Sequence, residues 1–137
     1  MAEKLPETIN LEIVTPERQL FCGQVDVVYV PGKKGYLGIL PGHAPLLSEL
    51  KIGIISYRVA AEEYKIFCGW GFAEVLSDQV SILAEKAELP DEIDVEQARE
   101  DREKADTLLQ SKSTETDFQS ALDLWESAAA RLETVGV

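Results

Sequence analysis

The chain has 137 residues, enough for one domain with an appended element and too few for a large enzyme built around a deep cofactor cleft. Thirteen Lys and Arg against 25 Asp and Glu give a formal charge of −12, which removes the basic footprint of a nucleic-acid or anionic-lipid binder. No stretch approaches the roughly 20 apolar residues of a membrane span, and Met1 to Asn10 lacks the regions of a secretory signal, so a soluble, intracellular chain without direct membrane insertion is expected.

From the N-terminus to about residue 88 the apolar pattern has period two. Ile9, Leu11 and Ile13 alternate with Asn10, Glu12 and Val14, and Val80, Ile82 and Ala84 alternate with Gln79, Ser81 and Leu83. Turn residues punctuate the apolar runs at Pro31-Gly32, Gly35, Pro41-Gly42, Gly53, Gly69, Gly71 and Ser77-Asp78. Many short strands of this kind predict a β-sandwich or barrel. Cys22 and Cys68 end apolar runs with no CxxC spacing and read as buried small residues rather than a disulfide.

At Pro90 the character changes, and no Gly or Pro follows until Gly136. Ala, Leu, Glu, Lys, Arg and Gln dominate, a helical composition. Asp94 and Gln97 have the spacing of a capping box and predict a first helix over about 94–110. Ser111-Lys112-Ser113-Thr114 interrupts it, and Thr114 with Asp117 predicts a second helix over about 115–134. Phe118, Leu122, Trp125, Ala129 and Leu132 form one apolar stripe on that helix, and Ala98, Ala105, Leu108 and Leu109 a thinner one on the first. A helical hairpin that buries both stripes together is expected. The segment from Asp91 onward carries −8 of the total charge.

Catalytic chemistry finds little support in these residues. Gly32, Gly35 and Gly38 are spaced like part of a phosphate loop, yet Gly32-Lys33-Lys34 leads into a strand rather than a helix, so a hairpin needing positive φ is the better reading. His43 is the only histidine and has neither an orienting partner nor companion metal ligands nearby, which makes it part of a packed or interface loop. Glu96 and Glu100 are like charges four apart on a solvated face. Hydrolase and metalloenzyme signatures are missing, so a non-catalytic protein with no metal is expected.

The run Gly35-Tyr36-Leu37-Gly38-Ile39-Leu40-Pro41-Gly42-His43-Ala44-Pro45-Leu46-Leu47, followed by Leu50-Lys51-Ile52-Gly53, resembles the signature segment of the epsilon subunits of F-type ATP synthases. Gly69-Trp70-Gly71-Phe72-Ala73-Glu74-Val75 and Val80 to Ala87 look like the same family's late hairpin, and the resemblance extends over essentially the whole chain. It implies a β-sandwich over 1–88, followed over 89–137 by a helical hairpin. The implied role is a central-stalk rotor subunit that touches the gamma subunit and the c-ring and couples proton-driven rotation to ATP synthesis. Its place would be peripheral, at the cytoplasmic face of a bacterial plasma membrane.

Carried over by position, the resemblance places Gly32, Lys33, Lys34, Gly35, Tyr36, Gly38 and His43 nearest the c-ring and stalk. Tyr36 stands where many relatives have an acid, which counts against an electrostatic form of that contact. The family's hairpin folds down on the sandwich or extends into the alpha/beta catalytic head, where it blocks hydrolysis. Some bacterial relatives bind ATP at the hairpin's start through an Ile/Leu-Asp-x-x-Arg-Ala motif. Here Ile93, Asp94 and Ala98 match, but Gln97 replaces the arginine, so no cofactor is expected and ATP as a regulatory ligand is disfavoured. From the residues alone, a free-standing ligand-binding sandwich with a helical lid is the competing reading.

Overall fold

The computed structural model describes residues 5–111 and 114–137. Eight strands come first: β1 (Ile9–Val14), β2 (Gln19–Val25), β3 (Val27–Gly32), β4 (Gly35–Ile39), β5 (Leu46–Leu50), β6 (Gly53–Val59), β7 (Glu62–Val75) and β8 (Gln79–Glu88). A short 3-10 turn, Pro90–Glu92, leads to α1 (Val95–Gln110) and α2 (Glu115–Val135). Of the residues read as the break between the helices, Lys112 and Ser113 lie outside the described residues.

The strands form one hydrogen-bonded sheet in the order β2-β1-β8-β7-β5-β3-β4, with β6 pairing to both β3 and β7. Among the described ladders only β1–β8 is parallel. The sheet folds over on itself because β7 changes neighbours along its length. Its first half, to Cys68, pairs with β6, and its second half, from Gly71, pairs with β5. The resulting sandwich encloses one core, to which Ile9, Leu11, Ile13, Val28, Val30, Ile39, Ile55, Val80 and Ile82 contribute. Across one side, Phe21 of β2 meets Tyr57 of β6 with ring centroids 4.4 Å apart.

The period-two reading of β1 and β8 is met residue for residue: Ile9, Leu11, Ile13, Val80, Ile82 and Ala84 are buried. Two expectations are corrected, and one turn has no counterpart among them. Gly69 and Gly71 are not turn residues but lie inside β7, where Trp70 takes a φ of 63° and lets the strand bend between its two partners. Cys22 is exposed, because it falls on the outward phase of β2, while Cys68 is buried as expected. The β6–β7 connection is a two-residue turn at Ala60–Ala61, both with positive φ, in a run that carries no Gly or Asn to announce it.

The hairpin also departs from expectation in its seam. Phe118 is 48% exposed, Leu122, Trp125 and Ala129 are only half-buried, and Leu132 alone of that stripe is buried. On α1 Ala98 and Ala105 are buried as expected, while Leu108 is exposed and Leu109 half-buried; facing them on α2 the buried positions are Ala121 and Ala128, each pair of alanines seven residues apart. Seven residues are about two helical turns, so each pair lies on one face. Small side chains there let the two helix backbones approach closely and leave the larger groups at the flanks.

Asp94 caps α1 by accepting from the Gln97 N–H at 3.1 Å, but Gln97 does not reach back; its amide donates to Asp101 at 2.9 Å. Thr114 caps α2 through the Asp117 N–H and also donates to the Asp117 carboxylate. Among the described residues, α2 is the helix that packs on the sandwich, against β6 and β7, and it also meets the 3-10 turn. That contact centres on Ile52, Ile54, Phe67 and Ile93 with Ala130, flanked by Val135.

Candidate functional site

The β3–β4 hairpin turns at Lys33–Lys34, with Gly32 opposite Gly35. Of the three glycines expected to need positive φ, only Gly35 has it, at 135°. Gly32 and Gly38 serve close approach instead: an added Cβ would lie 2.7 Å from the Gly35 carbonyl oxygen and 2.9 Å from the Tyr29 ring. The turn is pinned to β5, since the Lys33 N–H donates to the Glu49 carbonyl at 2.9 Å and its ammonium pairs with the Glu49 carboxylate at 3.1 Å. Between them lies a groove of about 440 Å³ lined by Lys33, Lys34, Tyr36, Leu37, Leu46 and Leu47, among others.

Tyr36 has a divided role. Its ring is exposed, while its hydroxyl accepts the Ile54 N–H at 2.9 Å, and burial of that end pushes its pKa up. His43 is not brought to the groove. It lies beyond the opposite end of β4, where its Nδ1 is 2.6 Å from the Ala44 carbonyl oxygen and its loop is tied to the β7–β8 turn through the Gly42 N–H and the Ser77 carbonyl. The sequence-derived set therefore divides into a groove end and a loop end.

A second surface escaped the sequence reading. Val14, Leu83, Phe72 and Glu49 stand side by side across β1, β8, β7 and β5 on the outward face of the sheet. Phe72 and Leu83 are 52% and 60% exposed, and Trp70, at the bend of β7, is 42% exposed. Together they line a shallow hollow of about 630 Å³ bordered by Glu49 and Glu85. Apolar side chains gathered on one exposed strand face mark an interaction surface. The available signal was the out-of-phase Leu83 between Ser81 and Glu85, which alternation alone assigns to solvent.

At the base of the hairpin, Asp94 and Ala98 border one hollow and Ile93 does not, with different consequences for a ligand. Ile93 is buried in the cluster under α2, Asp94 is used as a cap and Ala98 in the helix seam. The adjoining hollow, about 280 Å³, is lined by Glu88, Glu92, Asp94 and Asp101 against Lys86 and Arg131. Arg131 is already engaged with Glu88 through hydrogen bonds of 2.8 and 3.0 Å. Among the described residues, no group of three or more acidic, histidine or cysteine side chains is arranged to hold a metal ion, and no helix is long and apolar enough to cross a membrane.

Comparison with known proteins bears on the whole chain. Residues 8–90 match the beta-sandwich domain of the ATP synthase Delta/Epsilon chain family, and residues 91–136 match its long alpha-helix domain. An ATP synthase epsilon chain of Koribacter versatilis is 50% identical over 111 residues, which is 81% of this chain and 78% of that one. One from Solibacter usitatus is 43% identical over 130 residues, 95% of this chain and 97% of the relative. A chain in the solved Euglena gracilis mitochondrial ATP synthase, OSCP/F1/c-ring, superposes with a TM-score of 0.80 at 24% identity, covering 95% of this chain and 84% of that chain.

Proposed function

The chain belongs to the ATP synthase Delta/Epsilon chain family, and from that premise we propose how its surfaces serve the rotor of an F-type ATP synthase. It is a non-catalytic central-stalk subunit of that complex, in the place of the epsilon chain. The observation that carries the assignment of surfaces is the outward hollow formed by Trp70, Phe72 and Leu83. A rotor subunit has to hold a partner through many turns of load, and a fixed apolar face on rigid strands gives such a hold.

That face docks the gamma subunit. Its acidic border, Glu49 and Glu85, favours a gamma surface that is apolar at its centre and basic at its edge. The groove of Lys33, Lys34 and Tyr36 lies next to it, joined through Glu49, and meets the polar loops of the c-ring. His43 lies outside this contact. Association with the c-ring places the chain at the cytoplasmic face of a bacterial plasma membrane as a peripheral component.

The helical hairpin restrains ATP hydrolysis when it leaves the sandwich and reaches the alpha/beta head. Its exposed apolar flank, Phe118 with half-buried Leu122 and Trp125, supplies the contact there. ATP is not its regulator. The hollow at the hairpin base is lined by more carboxylates than cations, and Gln97 offers no charge to a triphosphate. Hydrolysis by the complex reconstituted with the full chain, compared with a chain truncated after Pro90, tests this role: faster hydrolysis on truncation supports it, and equal rates remove it.

A further inference from the structure

We propose that Arg131 is the latch that keeps the helical hairpin against the sandwich, and that exchange of its partner Glu88 to Lys86 accompanies release. This rests on the reading that the hairpin leaves the sandwich in the assembled synthase. Arg131 is the only basic residue after Thr114. It stands beside Ala130, in the part of α2 that packs on the sheet.

Its guanidinium meets Glu88 of β8 in a two-pronged pair, Nε to Oε1 at 2.8 Å and Nη2 to Oε2 at 3.0 Å. Their side chains are only 16% and 22% exposed. The guanidinium also lies 4.4 Å from the centroid of the Phe67 ring, so one side chain caps the apolar cluster and closes the ionic contact at once. Among the described residues, the apolar part of that contact is the small cluster around Ile52, Ile54, Phe67 and Ile93, with Thr134 beside Ile66 and Leu89 at its edge. A contact this small, with one directional charge pair in it, is the kind of element that a single substitution can tip.

The release side is built in as well. Lys86, two residues before Glu88 on the same strand, holds its ammonium 4.0 Å from Glu88 Oε2. When α2 departs, Glu88 keeps a cation beside it and Arg131 passes into water, so neither charge is stranded in an apolar site. An ion pair broken without such replacement is strongly disfavoured, because the remaining group keeps its desolvation cost. Docked and free states therefore both satisfy their charges, and the difference between them stays small enough to be switched.

Hydrogen exchange of the isolated full chain tests the latch. In Arg131→Gln and in Glu88→Gln, amides of residues 128–135 should exchange faster by about tenfold or more, while amides of β1 keep their protection. The double variant should exchange no faster than the quicker single variant, as expected for two groups acting through one contact. Lys86→Gln should have the opposite sign, slowing exchange at 128–135 by removing the substitute partner. Exchange within twofold of the parent in both single variants, or strictly multiplicative effects in the double, would overturn the proposal. If Arg131→Gln also lost protection in β1, the Glu88→Gln and Lys86→Gln signs decide alone. Failure of the broader reading is separately visible: truncation after Pro90 would leave hydrolysis unchanged while these exchange signatures persisted.

Discussion

Arg18, in the loop between β1 and β2, grips the carboxylate of Glu92 in the 3-10 turn before the hairpin through two hydrogen bonds of 2.6 Å. Glu92 also accepts the Leu89 N–H at 2.8 Å. The first of these, then the second, holds its pKa down at about 2. Because the folded-state value is depressed, the pair stabilises the fold fully above the ordinary value of 4.5, and that contribution is lost as pH falls towards 2. In Arg18→Gln the Glu92 pKa should rise towards the ordinary carboxylate range in an NMR titration, and acid unfolding should begin at higher pH. A Glu92 value that stays near 2 would contradict the assignment.

The turn at Ala60–Ala61 holds two non-glycine residues at φ values of 49° and 71°. The Asp26 carboxylate steadies it by accepting the Ala60 N–H at 3.1 Å. Asn and Gly tolerate these angles without the Cβ penalty, so Ala60→Asn combined with Ala61→Gly should stabilise the chain by about 1–2 kcal/mol. Urea unfolding followed by tryptophan fluorescence measures it, and a lower midpoint at unchanged slope would refute the turn geometry.

Gly71 presents the reverse case. A Cβ there would collide with the Leu83 carbonyl oxygen, and its φ of 155° is unsuited to other residues. Gly71→Ala should cost about 2–4 kcal/mol in the same experiment. Tolerance within about 0.5 kcal/mol, the range usual for surface changes, would show that the bend of β7 is placed elsewhere.

The two cysteines should separate chemically. Cys22 is exposed, whereas burial pushes the Cys68 thiol up to about 12. Iodoacetamide at pH 8 should alkylate Cys22 in the folded chain and reach Cys68 only after unfolding, since the thiolate is the reactive species. Mass spectrometry of the digested protein checks it; equal labelling of both residues before unfolding would place Cys68 outside the core.

Much of this architecture was legible because a half-buried strand writes its environment into the sequence. Ile9-Leu11-Ile13 and Val80-Ile82-Ala84 alternate, and both rows point into the core. What alternation cannot show is a strand that serves two neighbours. Ile66, Phe67 and Cys68 are all buried because Phe67 faces α2 while its neighbours face the core, and Gly69 to Gly71 then reset the phase. The α2 stripe differs from expectation for a related reason: size does not mark the buried face of this helix, since Ala121 and Ala128 are buried and Phe118 is left outside. For the Phe72–Leu83 surface the sequence carries only the solvent-facing Leu83, and the pairing of β7 with β8 is what sets Phe72 beside it.

The central claim, that the outward Trp70, Phe72 and Leu83 hollow docks gamma, is tested most directly by binding of this chain to the gamma subunit of its own synthase. Calorimetry should show a one-to-one complex that forms at micromolar concentration or below. Phe72→Asp should weaken it by about 30-fold or more, equivalent to at least about 2 kcal/mol, while leaving the fold of the free chain unchanged. A chain that stays separate from gamma at micromolar concentration, or a Phe72→Asp variant that binds as tightly as the parent, would contradict the account.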